Sequence, residues 1–338
     1  MLFFFRQSQP LALPFLLLYA LVVYAVPLWQ SAQGPSMGLL ESLAAGHAGV
    51  SMTWAFLFGG MALEPTATDA RLHPIVVLAG ALLVLGQAVL VNRSLRTIKG
   101  LAAPGYLPAL FFLLFAAALG AGFNAPTVGA GFLLLAFNRL IRAYGPEPAD
   151  ALLFEAGFWV GLAAITVSAY LAFLPFALFM ASNLRPVNFR EFGVLLAGFL
   201  AVFILLLSGI YLGDGWSNFS AAGWTFAPTF PQPATWTASG WFKILPAVGV
   251  ALASVVTAGQ RNRKSLIQVR KLSTWTAVFG LFAVLVWLAA GSVAAAAVFP
   301  MAFFTAYWIH SGGWPRSWEL AHFGLLALLV IGQLLEAP

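Results

Sequence analysis

The chain has 338 residues, of which 62% are hydrophobic and 8% are charged. Because a typical globular domain carries about 25% charged residues, this composition excludes an ordinary soluble domain and predicts a membrane protein. The chain has no cysteine, which excludes disulfides, thiolate metal sites and cysteine nucleophiles. Its net charge of +6 is interpreted as a signal for membrane topology, so no nucleic-acid partner is predicted.

Apolar runs follow one another along the whole chain, and a bilayer is crossed by a helix of about 20 such residues. The runs predict an all-α, polytopic integral membrane protein with about eleven transmembrane helices, forming one domain over residues 1–338. The predicted spans are residues 11–29, 74–91, 106–123, 127–141, 151–167, 170–182, 192–212, 241–258, 274–290, 293–309 and 320–335. Pro175 is expected to interrupt the sixth of them.

The basic residues predict the orientation of these spans. With the N-terminus inside and eleven crossings, fourteen of the sixteen Lys and Arg residues fall inside, and only Arg71 and Lys243 fall outside. This asymmetry obeys the positive-inside rule and predicts an outer C-terminus. The inner residues are Arg6, Arg93, Arg96, Lys99, Arg139, Arg142, Arg185, Arg190, Arg261, Arg263, Lys264, Arg270, Lys271 and Arg316, mostly in basic loops at 93–100, 183–191 and 259–272.

The same orientation puts two long loops, residues 30–73 and 213–240, on the outer face. Residues 37–61 are apolar and rich in small side chains, so they either lie along the interface, form a re-entrant hairpin or cross the membrane. A full crossing would upset the charge asymmetry. The second loop carries Trp216, Trp224 and Trp236, and such rings favour the headgroup level.

Several short motifs stand out along the chain, at residues 4–11, Asn92-Arg93, residues 106–110, residues 153–158 and residues 188–191. These motifs resemble an uncharacterised multi-pass inner-membrane family of Bacteroidota. The similar segments cover most of the first 200 residues, and the last third is similar in hydropathy only. The resemblance implies a bacterial inner (cytoplasmic) membrane location, and it implies no catalytic residues, because the family is a domain of unknown function.

Three acids in the first outer loop, Glu41, Glu64 and Asp69, are the candidate catalytic residues. Multi-pass transferases of lipid-linked sugars use a carboxylate base in such a loop, which deprotonates the acceptor while the polyprenyl phosphate leaves. The alternative is that these acids are solvated loop residues. Asp69 and His73 have the spacing of two ligands on one helical face, but Pro74 disfavours a helix there, so neither a metal nor a cofactor is predicted.

An acid inside a span, Glu155, has two interpretations. It is either a proton or ligand site inside the bundle, or an acid near a helix N-terminus that the helix dipole and nearby arginines stabilise. The GxxxG spacing of Gly157 and Gly161 in the same span predicts close helix packing within the chain.

Basic residues of the inner loops are candidates for contact with a lipid phosphate or a soluble partner. The alternative is that they only set the topology and contact anionic headgroups. These candidates are Arg185, Arg190, Arg261, Arg263 and Lys264.

Three functions remain open from the sequence. The first is an enzyme or accessory protein that acts on lipid-linked envelope glycans, with membrane lipids and a polyprenyl-phosphate-linked glycan as partners. The second is a transporter or flippase, which the scarcity of deep charges and the lack of a repeat disfavour. The third is a non-catalytic scaffold subunit that binds other envelope proteins.

Overall fold

The computed structural model describes most of the predicted spans. It covers residues 5, 12–32, 73–96, 105–143, 149–184, 189–212, 245–246, 248–249, 252–253, 255–256, 267–290, 294–311 and 317–335. Within these residues the secondary structure is helical, with turns and no strand, so the predicted all-α class is confirmed for the described part.

The helices are numbered in chain order. Two 3₁₀ segments, Ser168–Ala172 and Ala294–Ala297, each precede a helix. The helices are α1 (Ala12–Val23), α2 (Ala25–Ala32), α3 (Pro74–Arg96), α4 (Leu107–Ala118), α5 (Ala125–Arg142), α6 (Asp150–Thr166), α7 (Phe173–Leu184), α8 (Phe189–Leu212), α9 (Ile267–Ala290), α10 (Val298–Ser311) and α11 (Ser317–Leu335).

The predicted spans coincide with helices wherever the structure describes most of the span. The first is broken into α1 and α2, which meet at 51°, and most of residues 241–258 lies outside the described part. Within that part, two helices are long and apolar enough to cross a bilayer alone, Pro74–Leu95 and Phe189–Leu212, or three spans if the bent pair counts as one. The number of eleven crossings therefore stays a prediction.

The expected interruption at Pro175 is wrong. Helix α7 begins at Phe173, so Pro175 lies in the first turn, where a missing backbone N–H removes no intrahelical hydrogen bond. The break lies before it, in the 3₁₀ segment Ser168–Ala172, so α6 and α7 are separate short helices.

Helix α4 lies at the centre of one half of the bundle. All its residues except Pro108 are buried, as expected for a helix that is apolar on every side. It packs against α1, α3, α10 and α11. The half around α5 and α9 is held by aromatic rings, with Phe137, Phe176 and Phe299 each within 5.6 Å of Phe279 between ring centroids.

Helix α6 makes the most extensive interhelical contact of the described part, with α8. A Cβ added to Gly157 would collide with the carbonyl oxygen of Leu195, and one added to Gly198 would collide with that of Phe154. At Gly161 an added Cβ would come within 2.9 Å of the Phe199 carbonyl oxygen. The predicted internal packing at the GxxxG spacing is thus confirmed, because glycine allows the two backbones to touch.

The bundle has two opposite ends, joined by α5. The first, called the turn end, is the α4–α5 turn at residues 119–124, where Gly120 adopts a φ of +69° and closes the end of α4. The second, called the basic end, is where α5 finishes with Arg139 and Arg142. The 18 residues of α5 separate the two ends by about 27 Å, close to the hydrocarbon thickness of about 30 Å.

The other helices can be oriented from their contacts. An added Cβ at Gly80 of α3 would come within 2.5 Å of Phe123 N, and Gln87 contacts the start of α5, so α3 runs beside α5 from the turn end to the basic end. Glu155, near the start of α6, pairs with Arg139 in the last turn of α5, and Asp150 pairs with Arg190, so α6 and α8 both begin at the basic end.

Helices α7 and α9 run in opposite directions. The ring of Phe173 lies 6.3 Å from that of Phe282, and the ring of Phe179 lies 5.6 Å from that of Trp275. Because α7 starts beside the turn end, α9 begins at the basic end. The basic residues of the described part all lie towards this end: Arg93, Arg96, Arg139, Arg142, Arg190, Arg270 and Lys271.

The outward faces of several helices are apolar. Leu18 of α1, Leu205 of α8 and Leu281 of α9 are each more than half exposed, in company with other leucine, isoleucine and phenylalanine side chains. Large exposed apolar surfaces are rare on soluble monomers. The chain therefore has the surface of a helical membrane protein.

Candidate functional site

Side chains from distant helices converge on the turn end. Helix α5 begins there with Asn124 as its N-cap, whose side-chain oxygen accepts a hydrogen bond from the backbone N–H of Thr127 at 2.9 Å. Gln87 of α3 donates from Nε2 to the Thr127 carbonyl at 2.7 Å, and the Tyr170 hydroxyl donates to the Pro126 carbonyl at 2.8 Å. Both bonds are buried, so they fix the first turn of α5 to α3 and to the 3₁₀ segment before α7.

Two glycines in α5 make room for these side chains. A Cβ at Gly129 would come within 2.6 Å of the Tyr170 ring, and a Cβ at Gly131 would come within 2.7 Å of Gln87 Nε2. Any larger residue would push the donor away from its carbonyl. The two glycines therefore allow α3 and the 3₁₀ segment before α7 to hydrogen-bond to the first turn of α5 from two sides.

The segment that carries the candidate acids is attached to this end. The Tyr24 hydroxyl, at the α1–α2 bend, donates to the Ala121 carbonyl at 2.7 Å, and α2 packs against α3. The chain leaves α2 at Ala32 and returns at Pro74, the first residue of α3. Residues 33–72 between these points lie outside the described part, and they include Glu41, Glu64 and Asp69.

The opposite end holds the paired charges. Glu155 Oε2 lies 2.6 Å from Arg139 Nε, with side chains 42% and 29% exposed. Asp150 Oδ2 accepts a hydrogen bond from Arg190 Nη2 at 2.6 Å. Glu155 therefore has an arginine counterion, as expected for an acid near a helix N-terminus that nearby arginines stabilise. It lies at the opposite end of the bundle from the turn end.

Arg190 is the one candidate lipid or phosphate contact that the structure describes. Its side chain is 79% exposed and bonded to a carboxylate, so one face of the guanidinium is already used. The other candidates, Arg185, Arg261, Arg263 and Lys264, lie outside the described residues, as does the outer loop 213–240.

The residues that the structure describes contain no group of three or more His, Asp or Glu side chains that could hold a metal ion. His73 is described and Asp69 is not. The Nδ1 atom of His73 accepts a hydrogen bond from the backbone N–H of Ile75 at 3.3 Å, at the start of α3.

Two buried polar residues of α11, His322 and Gln333, are not among the candidates predicted from the sequence. His322 is 1% exposed, and its Nε2 lies 3.3 Å from the Tyr19 hydroxyl of α1, while its ring meets the edge or face of Phe111. Gln333 is 6% exposed on the same helix. The available signal was a histidine and a glutamine eleven residues apart in one apolar run, a spacing of three helical turns that places both on one face.

These features define a class: a helical membrane protein whose described basic residues lie towards one end of the bundle, with a long acid-bearing segment attached at the other. No protein family and no curated relative matches the sequence. The fold is similar to that of the archaeal oligosaccharyltransferase AglB from Archaeoglobus fulgidus, solved in complex with an inhibitory peptide and a dolichol-phosphate. The TM-score is 0.52 at 11% identity, over 97% of this chain and 56% of AglB. At this identity the likeness concerns the fold, and the chain spans about half the length of AglB.

Proposed function

We propose that the chain is a multi-pass protein of the bacterial inner membrane that transfers a glycan from a polyprenyl-phosphate carrier at the outer face. In this proposal the membrane is crossed about eleven times, the basic end faces the cytoplasm, and the turn end faces outward. The N-terminus is inside and the C-terminus outside. The inner-membrane assignment draws on the resemblance to the Bacteroidota family.

One observation carries the proposal. The fold of AglB, which binds a dolichol-phosphate and a peptide, matches almost the whole of this chain. Action on a lipid-linked glycan was one of the three functions that the sequence left open, on the basis of its outer acid-bearing loop. The two lines of support are independent, because the loop was identified from charge alternation and the likeness from the course of the backbone.

The chemistry assigned to the loop is general-base catalysis. A carboxylate of Glu41, Glu64 or Asp69 accepts the proton of the acceptor hydroxyl or amide. The acceptor atom then forms a bond to the anomeric carbon of the glycan. The bond from that carbon to the phosphate oxygen breaks, and the polyprenyl carrier leaves with the electron pair. No redox partner is needed.

Replacement of each acid by its amide tests this role. In purified protein supplied with a polyprenyl-phosphate-linked glycan, we expect Glu41→Gln, Glu64→Gln or Asp69→Asn to lower carrier release at least about 100-fold, the lower range for a general base. Glu191→Gln is the matched control, because this acid lies in the first turn of α8 at the basic end. Full release by all three loop variants would contradict the proposal.

The second candidate that the sequence left open is a non-catalytic scaffold subunit that binds other envelope proteins. Copurification of a partner in fixed stoichiometry, together with carrier release only by the complex, would support this candidate. Carrier glycans that accumulate on the inner leaflet of a deletion strain would instead favour the flippase.

A further inference from the structure

The bend between α1 and α2 leaves a backbone carbonyl without its helical donor. The two helices meet at 51° on either side of Tyr24, and Pro27 follows in the first turn of α2. In a continuous helix the Val23 carbonyl would accept from the N–H of residue 27, but proline has none. Val23 is fully buried, and a buried carbonyl without a donor is costly where no water replaces it.

A glutamine from the far end of the chain supplies that donor. Gln333 of α11 donates from Nε2 to the Val23 carbonyl at 3.3 Å, in a buried hydrogen bond. Its side chain therefore satisfies the carbonyl that Pro27 leaves free.

The exchange is reciprocal. Gln30 of α2 donates from Nε2 to the backbone carbonyl of Gln333 at 3.0 Å. That carbonyl lies in the last turn of α11, which ends at Leu335, so it has no donor within its own helix. Gln333 thus satisfies a carbonyl at the end of α1, and Gln30 of α2 satisfies a carbonyl in the last turn of α11. We call the pair Gln30 and Gln333 the glutamine clasp.

A third contact holds the bend from its other side. The Tyr24 hydroxyl reaches the Ala121 carbonyl of the turn end, and Tyr24 is 4% exposed. Helix α2 is thereby held between α11 and the α4–α5 turn. It ends at Ala32, where the segment with the candidate acids begins.

We propose that Gln30 and Gln333 are positioning residues, which fix the α1–α2 bend and so set where the acid-bearing segment leaves the bundle. The inference that they affect catalysis rests on the proposed glycan transfer, whereas the bend itself does not. Loss of the clasp leaves the Val23 carbonyl unsatisfied at every bend angle, because Pro27 has no N–H to offer it. The bend is then no longer fixed, so residue 32 samples a wider range of distances from α3.

The absence of cysteine allows the bend to be measured directly. Spin labels on Ala32→Cys and Ile75→Cys, both exposed positions, report the distance from the end of α2 to the start of α3 in the full chain reconstituted in lipid. We expect Gln333→Leu to broaden this distance distribution and to lower carrier release about tenfold, in line with one unsatisfied buried carbonyl. Gln30→Leu, at a half-buried position, is expected to do the same to a smaller extent. Leu334→Ala, on the exposed face of α11, is the matched control.

Pro27→Ala makes the test specific. This change restores the N–H that the Val23 carbonyl lacks, so Gln333→Leu should have little additional effect on the distances in that background. An equal effect of Gln333→Leu with and without Pro27 would overturn the proposal, as would an unchanged distance distribution in both glutamine variants.

The two proposals fail separately. If the glutamine variants broaden the distance distribution as expected but the unmodified protein releases no carrier, the proposal for the clasp stands and the proposal of glycan transfer fails. If the acid variants abolish release but both glutamine variants leave distances and release unchanged, the transfer stands and the clasp is refuted.

Discussion

At the scale of single residues, two acids of the described part are paired with arginines of neighbouring helices, and both pairs lie at the basic end. Glu155 lies one turn into an apolar helix, and Arg139 of α5 reaches it with Nε at 2.6 Å. The two acids are exposed to a similar extent, but Arg139 is 29% exposed and Arg190 is 79% exposed. Asp150 is the first residue of α6, where the helix dipole stabilises a negative charge, and Glu155 lies beyond that first turn. Glu155 therefore depends more on its arginine than Asp150 does, and the Arg139 pair is the better shielded from water.

Removal of Arg139 should therefore destabilise the protein more than removal of Arg190. We expect Arg139→Gln to cost about 1–2 kcal/mol of unfolding free energy, between the values for exposed and buried pairs. Arg190→Gln, the control, should cost less than about 0.5 kcal/mol. Thermal unfolding in mild detergent measures both, and equal losses would show that burial of the first pair has no energetic role.

At the scale of helices, the tightest association joins α6 and α8. Their backbones touch at Gly157 and Gly198, where an added Cβ would meet a carbonyl oxygen of the facing helix. In lipid, helix association depends on such close packing, because apolar side chains gain little by leaving the hydrocarbon. The same two helices carry the Asp150–Arg190 pair at the basic end, so their register is fixed by packing and by charge.

Addition of one methyl group at this contact should separate the helices. We expect Gly157→Ala and Gly198→Ala each to cost about 3 kcal/mol, the upper range for overpacking, because the obstacle is backbone and cannot rotate away. Gly193→Ala, on the same α8 with nothing within 4 Å of the added atom, should instead stabilise by about 0.5–1 kcal/mol. Chemical unfolding of the three variants tests the contrast, and a destabilised Gly193→Ala would contradict it.

At the scale of the whole molecule, the sequence predicted the helices well because their signal is local. Runs of apolar residues gave the positions of α3, α5, α6 and α8 to within a few residues, and the glycine spacing gave the packing of α6. The alternation of charges predicted that basic residues lie on one side, and those of the described part do lie towards one end of the bundle. The number of crossings and the orientation in the membrane stay predictions.

The parts that the sequence did not predict depend on contacts between distant residues. The sequence predicted one span over residues 11–29 and not the bend at Tyr24, because Pro27 lies within an apolar run. The donor that accompanies the bend, Gln333, reaches the Val23 carbonyl only in the folded chain. The burial of His322 against Tyr19 and Phe111 follows from the packing of α11 on α1 and α4. The candidate acids Glu41, Glu64 and Asp69 stay a prediction, because they lie outside the described residues.

Sidedness is the measurement that tests the account most directly, since every functional statement requires the turn end and the basic end to face different compartments. Single cysteines at the exposed positions Ala32, Arg142 and Arg270, introduced into the naturally cysteine-free chain, would be treated with a membrane-impermeant maleimide in intact cells. The account predicts that the cysteine at 32 reacts at once, whereas those at 142 and 270 react only after the inner membrane is permeabilised. Reaction of 32 and 270 from the same side would contradict it.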